Sequence, residues 1–259
     1  MFNRVRKAIG HPGLAIGHVG FVTHRTWHLI IVPQITKYQG WLFDKMNGVE
    51  TRTVIQHERL DCIDNRHLDN ATYYVACPIS TLKTTIRYVV KSYNDASYFV
   101  DVGCGEGRAC FFAARYFDKI VGIDFSPTLI EAANTNLRNF TCDNNKIEFL
   151  LKDATTFRLP DAKCVVFIYN PFDEVVMGRF LQLNRRHFSR HQSIIIYVSD
   201  IHTELLLRTG FLRSYKFTRG PKAASIFTVG PQIAAAESFN ETRPSCAAKI
   251  GHSRHHFNS

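Results

Sequence analysis

The stretch that most constrains this chain runs from Tyr98 to Asp124. An apolar run, Tyr98-Phe99-Val100-Asp101-Val102, passes without a break into Gly103-Cys104-Gly105-Glu106-Gly107. Small and aromatic residues follow from Arg108 to Phe117, and a second apolar run, Ile120-Val121-Gly122-Ile123, ends on Asp124. Strand, glycine loop, helix, strand and acid, in that order, describe two parallel strands and their crossover helix. Such a unit binds ligands beyond the carboxyl ends of its strands, where glycines let the backbone approach and a helix N-terminus offers N–H groups.

The chain downstream repeats the alternation. Pro78 opens a helix with Leu82, Ile86, Val89 and Val90 near helical spacing, expected to lie against the first strand and to end before Asn94-Asp95. Ser126-Pro127 places a hydroxyl cap before a proline at the first helical position, and Leu129, Ala132, Ala133 and Leu137 give that helix a buried face. Lys146 to Leu151 reads as a strand ending on Lys152-Asp153. After a turn at Leu159-Pro160-Asp161, the run Cys164 to Tyr169 is almost wholly apolar, as a strand covered on both faces should be. It ends in Asn170-Pro171-Phe172. A helix from about Glu174 to Phe188, a strand from Ser193 to Val198 and a shorter helix from about His202 to Arg208 follow. Phe211 to Phe217 and Ala224 to Val229 close the unit as an antiparallel hairpin.

These bounds divide the chain into residues 78–229 as the main domain, 1–77 as an N-terminal extension and lid, and 230–259 as a tail. With 259 residues and 45% apolar content, one domain of catalytic size is expected. The tail has few large apolar residues and no periodicity, so it is expected to be disordered. The leading segment has no Asp or Glu before Asp44. Its apolar part, Leu14 to Val32, is interrupted by His18, His24, Arg25 and His28 and makes a poor membrane span. It is read as an ordinary extension, with an organellar transit peptide or a surface-binding amphipathic piece as alternatives. Trp41 to Tyr74 reads as polar and irregular, with a turn at Asn47-Gly48. Tyr74 falls near the mouth of the site and is a candidate lid residue; its alternative is a tyrosine that packs its ring and wets its hydroxyl.

A formal net charge of +10 suits an acidic partner such as nucleic acid, an anionic surface or an acidic substrate, and also serves solubility alone. The seven cysteines are odd in number and show no C-x-x-C spacing, so neither a disulfide framework nor a zinc site is indicated. A cytoplasmic location fits this usage. No metal is expected: His24 with His28, His187 with His191, and the tail's His252, His255 and His256 are read as structural or solvated. The basic cluster from Arg185 to His191 suits the C-terminal end of its helix, with phosphate binding as the alternative.

The ligand follows from the glycine spacing. A dinucleotide fingerprint requires a third glycine at position 108, where this chain has Arg108. Glycines at 103, 105 and 107 instead open a flat backbone surface for a ligand lying over the loop. Asp124 is placed to accept hydrogen bonds from ribose hydroxyls. Asp101 could take up a cationic amino group, which no nicotinamide cofactor carries.

Asp101 to Gly107 resembles the first motif of the class I S-adenosylmethionine-dependent methyltransferases, and the elements from Pro78 to Val229 follow that family's order. The resemblance implies an α/β, Rossmann-like, seven-stranded and mostly parallel sheet with helices on both faces and an antiparallel last strand. It implies S-adenosylmethionine as cofactor, with Asp101, Gly103, Cys104, Gly105 and Gly107 around the methionine part. Asp124 would bind the ribose, Asp153 and Ala154 would border the adenine, and Phe125 and Asn170 would complete the cofactor set. A further similarity joins Phe43-Asp44, Val49-Glu50-Thr51 and Asn170-Pro171-Phe172 to a group of largely uncharacterised bacterial methyltransferases. That group carries a Tyr-x-Pro-Thr-like sequence before its first helix, where this chain has Tyr74-Val75-Ala76-Cys77, a thiol in place of a hydroxyl.

Methyl transfer needs an acceptor electron pair held in line and water excluded. The wall facing the methyl group is expected at Tyr169 to Phe172, making Asn170, Pro171, Phe172 and Tyr74 the candidate catalytic residues. Asn170-Pro171-Phe172 resembles the Asn/Asp-Pro-Pro-aromatic motif of amino methyltransferases but lacks one proline. The acceptor is open among protein or other amine nitrogen, RNA and small molecules, with protein or another amine first. Two other classes remain: a cofactor-binding or scaffold protein without turnover, and a nicotinamide-dependent oxidoreductase, which Arg108 argues against.

Overall fold

A computed structural model describes residues 31–55, 74–93, 95–169, 172–218 and 220–231. The first histidine pair (His24, His28), Asn170, Pro171 and the tail histidines lie outside the described residues. In chain order the elements are α1 (Val32–Asn47), β1 (Val54–Ile55), β2 (Tyr74–Val75), α2 (Ile79–Ser92), β3 (Tyr98–Val102), α3 (Arg108–Ala113), β4 (Lys119–Asp124) and α4 (Pro127–Asn139). They continue as β5 (Ile147–Leu151), β6 (Cys164–Tyr169), α5 (Glu174–Leu183), α6 (Arg185–His191), β7 (Ile194–Val198), α7 (Thr203–Arg208), β8 (Phe211–Phe217) and β9 (Ala224–Val229).

Seven strands form one sheet in the order β5-β4-β3-β6-β7-β9-β8. The first five of that order are parallel. β9 runs antiparallel to both β7 and β8, so the last strand of the chain is the reversed one, inserted between its neighbours. This is the architecture that the resemblance implied. β1 and β2 form a separate antiparallel pair.

Strand alternation sorts the side chains into two cores. Phe99, Phe167 and Ile196 join Leu82, Ile86 and Val89 of α2 and Phe111 and Phe112 of α3 on one face. Val100, Val102, Val166 and Ile168 join Met177, Phe180 and Phe188 from α5 and α6 on the other. Asp101 alternates with Phe99 and so shares the α3 face, at the end of a strand whose other residues are apolar or aromatic. Among the described residues, no helix is long and apolar enough to cross a membrane.

Three expectations about elements change. The stretch from Trp41 to Asn47, expected to be irregular, is the second half of α1. That helix starts beside Pro33 and ends on Gly48 in the left-handed region at φ 69°. Its inward face is Gly40, Phe43, Asp44 and Asn47, so two of the buried residues are polar and the usual apolar stripe is missing from the core side. The helix after the glycine loop ends at Ala113, and a turn follows in which the amides of Tyr116 and Phe117 both donate to the Ala113 carbonyl, at 2.8 and 3.2 Å. The helix expected from Glu174 to Phe188 is two helices that meet at Asn184. The buried Asn184 amide accepts from Leu159 N at 2.9 Å and donates to Phe157 O and Phe180 O, each at 3.0 Å, tying the break to the loop before β6. The Ser126 cap holds as expected, its hydroxyl accepting from Leu129 N at 3.3 Å.

Candidate functional site

The ends of β3 and β4 bring Asp101, the glycine loop and Asp124 together. Gly103 N and Cys104 N both donate to Ile123 O at 2.9 Å, fastening the loop across the end of β4. The Asp124 carboxylate is buried and fastens it further, with Oδ2 accepting from Gly105 N at 2.9 Å and Oδ1 from Ser126 N at 3.0 Å. Asp124 therefore organises the loop from the end of β4.

Asp101 is only 3% exposed. Among the described residues its hydrogen-bond neighbour is the Cys110 thiol, 3.6 Å from Oδ2, and no lysine or arginine pairs with it. Burial, with a smaller contribution from the Asp124 charge, pushes its carboxyl up to about 8. A thiol is a weak donor and cannot replace the lost hydration of a carboxylate. A buried carboxylate in this state fits a ligand that brings its own ammonium group.

Tyr74 sits closer to the loop than its sequence position suggested. Its hydroxyl accepts from Glu106 N at 3.1 Å and donates to Glu106 Oε2 at 3.4 Å. Its ring lies over Gly105, where a Cβ atom would collide with it. Phe149 similarly fills the space above Gly107, 2.5 Å from where a Cβ would stand. The expectation of a flat open surface over the three glycines is corrected at these two positions: the missing side chains admit aromatic rings of this chain. Gly105 also has φ 54° and Gly107 φ 89°, in the left-handed region. Gly105→Ala is expected to destabilise the protein by about 1–3 kcal/mol through backbone strain and displacement of the Tyr74 ring. Urea unfolding would measure this, and Tyr74→Ala in the same chain should recover part of the loss.

Arg108, noted in the sequence only as the residue that spoils a dinucleotide motif, ties the N-terminal segment to the loop. Its Nε donates to Thr51 Oγ1 at 2.7 Å, one terminal nitrogen to Thr51 O at 2.7 Å and the other to Cys77 O at 3.5 Å. Asp44 stands 3.8 Å from the guanidinium and accepts from Thr51 N at 3.0 Å and Thr51 Oγ1 at 2.7 Å. The guanidinium passes beside Gly40 of α1, 3.5 Å from where a Cβ would stand. Asn136 of α4 adds a second tie, donating to Glu50 O and Glu106 O and accepting from Glu50 N. The buried Glu106 carboxylate accepts from Thr53 N at 3.3 Å, and burial raises its pKa. Arg108, Glu106 and Asn136 were not singled out as site residues. A buried role for Arg108 and Glu106 is hard to infer from a loop sequence whose partners lie more than 30 residues away.

The other expected residues are distributed around this centre. Phe125 is half-buried beside Asp124. Asp153 Oδ1 accepts from Thr155 N at 2.7 Å, while Ala154 is buried in the second core. Phe172 is also buried in that core, 8% exposed, so its ring is packed rather than offered as a stacking surface. Asn170 and Pro171 fall outside the described residues. Cys77 is buried, and burial raises its thiol far above the ordinary range, so it stands as a neutral group. Both His187 and His191 lie within α6, correcting the expected helix end between them. His191 has a carboxylate partner that the sequence did not reveal, Asp161 at 2.8 Å, while His187 meets Ser193 Oγ at 2.8 Å. Among the described residues no group of three metal-ligating side chains forms.

Residues 99–190 match a family model described as "Methyltransferase domain". Among curated proteins the chain is 37% identical over 82 residues to "Phosphoethanolamine N-methyltransferase 1" of Arabidopsis thaliana, covering 31% of this chain and 16% of that protein. It is 29% identical over 136 residues to "Phosphoethanolamine N-methyltransferase" of Triticum aestivum, covering 47% of this chain and 24% of that one. The chain thus spans a quarter or less of these relatives. Among solved structures, the ribosomal protein L11 methylase of Lactobacillus delbrueckii subsp. bulgaricus aligns with TM-score 0.44 and 15% identity, over 60% of this chain and 81% of that one. The segment matched by the methyltransferase-domain model contains Asp101, the glycine loop and Asp124.

Proposed function

We propose that this chain binds S-adenosylmethionine at the ends of β3 and β4 and transfers its methyl group to an amine nitrogen, on a protein or on a smaller molecule, in the cytoplasm. Residues 78–229 would form the catalytic unit, and the segment up to residue 77 its lid. The observation that carries this reading is Asp101, a buried carboxyl group with no cationic partner among the described residues, beside a glycine loop held by Asp124.

The cofactor, when bound, supplies a methyl group already activated for transfer. Asp101 would accept hydrogen bonds from its ammonium group and hold the negative charge there. The backbone of Gly103 to Gly107 would lie along the methionine part, and Asp124 with Phe125 would take the ribose. Asp153 and Ala154 would border the adenine. Tyr74 and the strap from Val49 to Thr53 would close the site from the N-terminal side and keep water out. Tyr169, Asn170 and Pro171 would form the acceptor wall, with Phe172 packed behind it in the second core, and Asn170 would also touch the cofactor.

Titration calorimetry separates this reading from a nicotinamide enzyme. S-adenosylhomocysteine is expected to bind and NAD to give no heat; tight NAD binding with no response to S-adenosylhomocysteine would overturn the reading. Asp124→Ala should weaken S-adenosylhomocysteine by about 1.5–3 kcal/mol, roughly 10- to 150-fold, the range for hydrogen bonds to a charged group. Unchanged affinity in a folded variant would remove Asp124 from the site.

A further inference from the structure

The outer face of α1 is apolar. Its inner face, Gly40, Phe43, Asp44 and Asn47, is buried. Directly opposite stand Ile35, Tyr38, Trp41, Leu42 and Met46, exposed to 41, 60, 39, 37 and 65%. At the helical repeat these five occupy one continuous arc of about 140°. They are five of the eleven large apolar side chains exposed among the described residues, so the exposure is concentrated on this helix. A contiguous apolar surface of this kind marks an interaction site.

The charges beside the patch select its partner. The Lys45 ammonium lies 5.2 Å over the Trp41 ring, and Lys37 is exposed next to Tyr38. Before Asp44, which is buried, the chain contains Arg4, Arg6, Lys7, Arg25 and Lys37 and no acid. A second copy docked face to face would set Lys37 and Lys45 against their own like charges. An anionic lipid surface complements both of them, and its headgroup layer suits the amphipathic rings of Tyr38 and Trp41. Within the arc only Gln34, Lys45 and the Tyr38 and Trp41 ring edges offer hydrogen bonds, and a lipid surface asks for no fixed pattern of them. We infer that α1 is an interfacial helix that docks this protein on an anionic bilayer surface through Ile35, Tyr38, Trp41, Leu42 and Met46.

The test is co-sedimentation of the full chain with phosphatidylcholine vesicles and with vesicles containing roughly a third phosphatidylglycerol. Binding is expected to the anionic vesicles only, and to weaken with added salt. In a Trp27→Phe background, Trp41 is the remaining tryptophan, and its emission should shift to the blue on binding. Leu42→Glu with Met46→Glu should lower partitioning at least about tenfold while leaving the melting temperature unchanged, since both side chains are exposed. Lys37→Glu with Lys45→Glu should do the same. Three results would overturn the inference: no binding to anionic vesicles, undiminished binding by the Leu42/Met46 variant, or a dimer in solution that this variant dissolves.

Discussion

Replacing Asp101 with asparagine is expected to raise the melting temperature of the unliganded protein at pH 8 and to abolish most of its affinity for S-adenosylhomocysteine. Burial lifts the Asp101 carboxyl from its ordinary 3.8 to about 8. The folded chain therefore retains a proton that the unfolded chain releases. The stability associated with this group is fully present below the unfolded value and is lost as pH rises from about 4 through about 8. Asparagine has nothing to ionise, so the variant should be more stable by about 2 kcal/mol or more at pH 8, about 4–8 °C in melting temperature. Its stability should also lack this downward slope. The ligand pairing argued for Asp101 runs the other way: an ammonium group stabilises the ionised carboxylate, so binding should release a proton below about pH 8. Asparagine leaves that ammonium without its counter-charge, and affinity should fall by at least about tenfold. Scanning calorimetry at several pH values, with titrations in buffers of different ionisation enthalpy, reads both effects. A variant that melts lower and binds as tightly as the parent would contradict the role given to Asp101.

Arg108→Ala is expected to be the most destabilising single change near the site, by about 3–5 kcal/mol. The side chain is 8% exposed and meets Thr51 twice, Cys77 O and the Asp44 carboxylate. Its removal strands the Thr51 and Cys77 carbonyls and part of the Asp44 charge in a dry interior. The melting temperature should drop by roughly 10 °C. Limited proteolysis should open new cleavage between Val49 and Ile55. Arg108→Lys should recover little, because one ammonium cannot reproduce the fork that spans these partners. Melting within the error of the parent would show that the strap is held by other contacts.

The central unit was legible because its signals are local. Tyr98 to Asp124 carries strand, glycine loop, helix and strand within one short stretch, and the alternation after it repeats with turn residues between. Asp101 and Asp124 could be assigned to strand ends from those patterns alone. The strap was illegible for the opposite reason. Asp44, Thr51, Cys77 and Arg108 come together only through tertiary contacts, and a buried arginine looks in sequence like any surface cation. α1 was misread because its core side contains glycine, aspartate and asparagine while its apolar residues face outward. The break at Asn184 depends on carbonyl and amide groups of Phe157 and Leu159, more than 20 residues away. Tyr74 was placed near the mouth of the site, but its fit over Gly105 required the fold.

Transfer of labelled methyl from S-adenosylmethionine into fractionated lysate, sorted into protein, RNA and small molecules, tests the central claim most directly. The account predicts label in protein or in a small amine, and its loss when Asp101→Asn replaces the parent. Label in RNA would move the acceptor to the alternative that the basic charge suggested. Label in no fraction, from a chain that binds S-adenosylhomocysteine, would contradict the claim and leave a cofactor-binding protein without turnover.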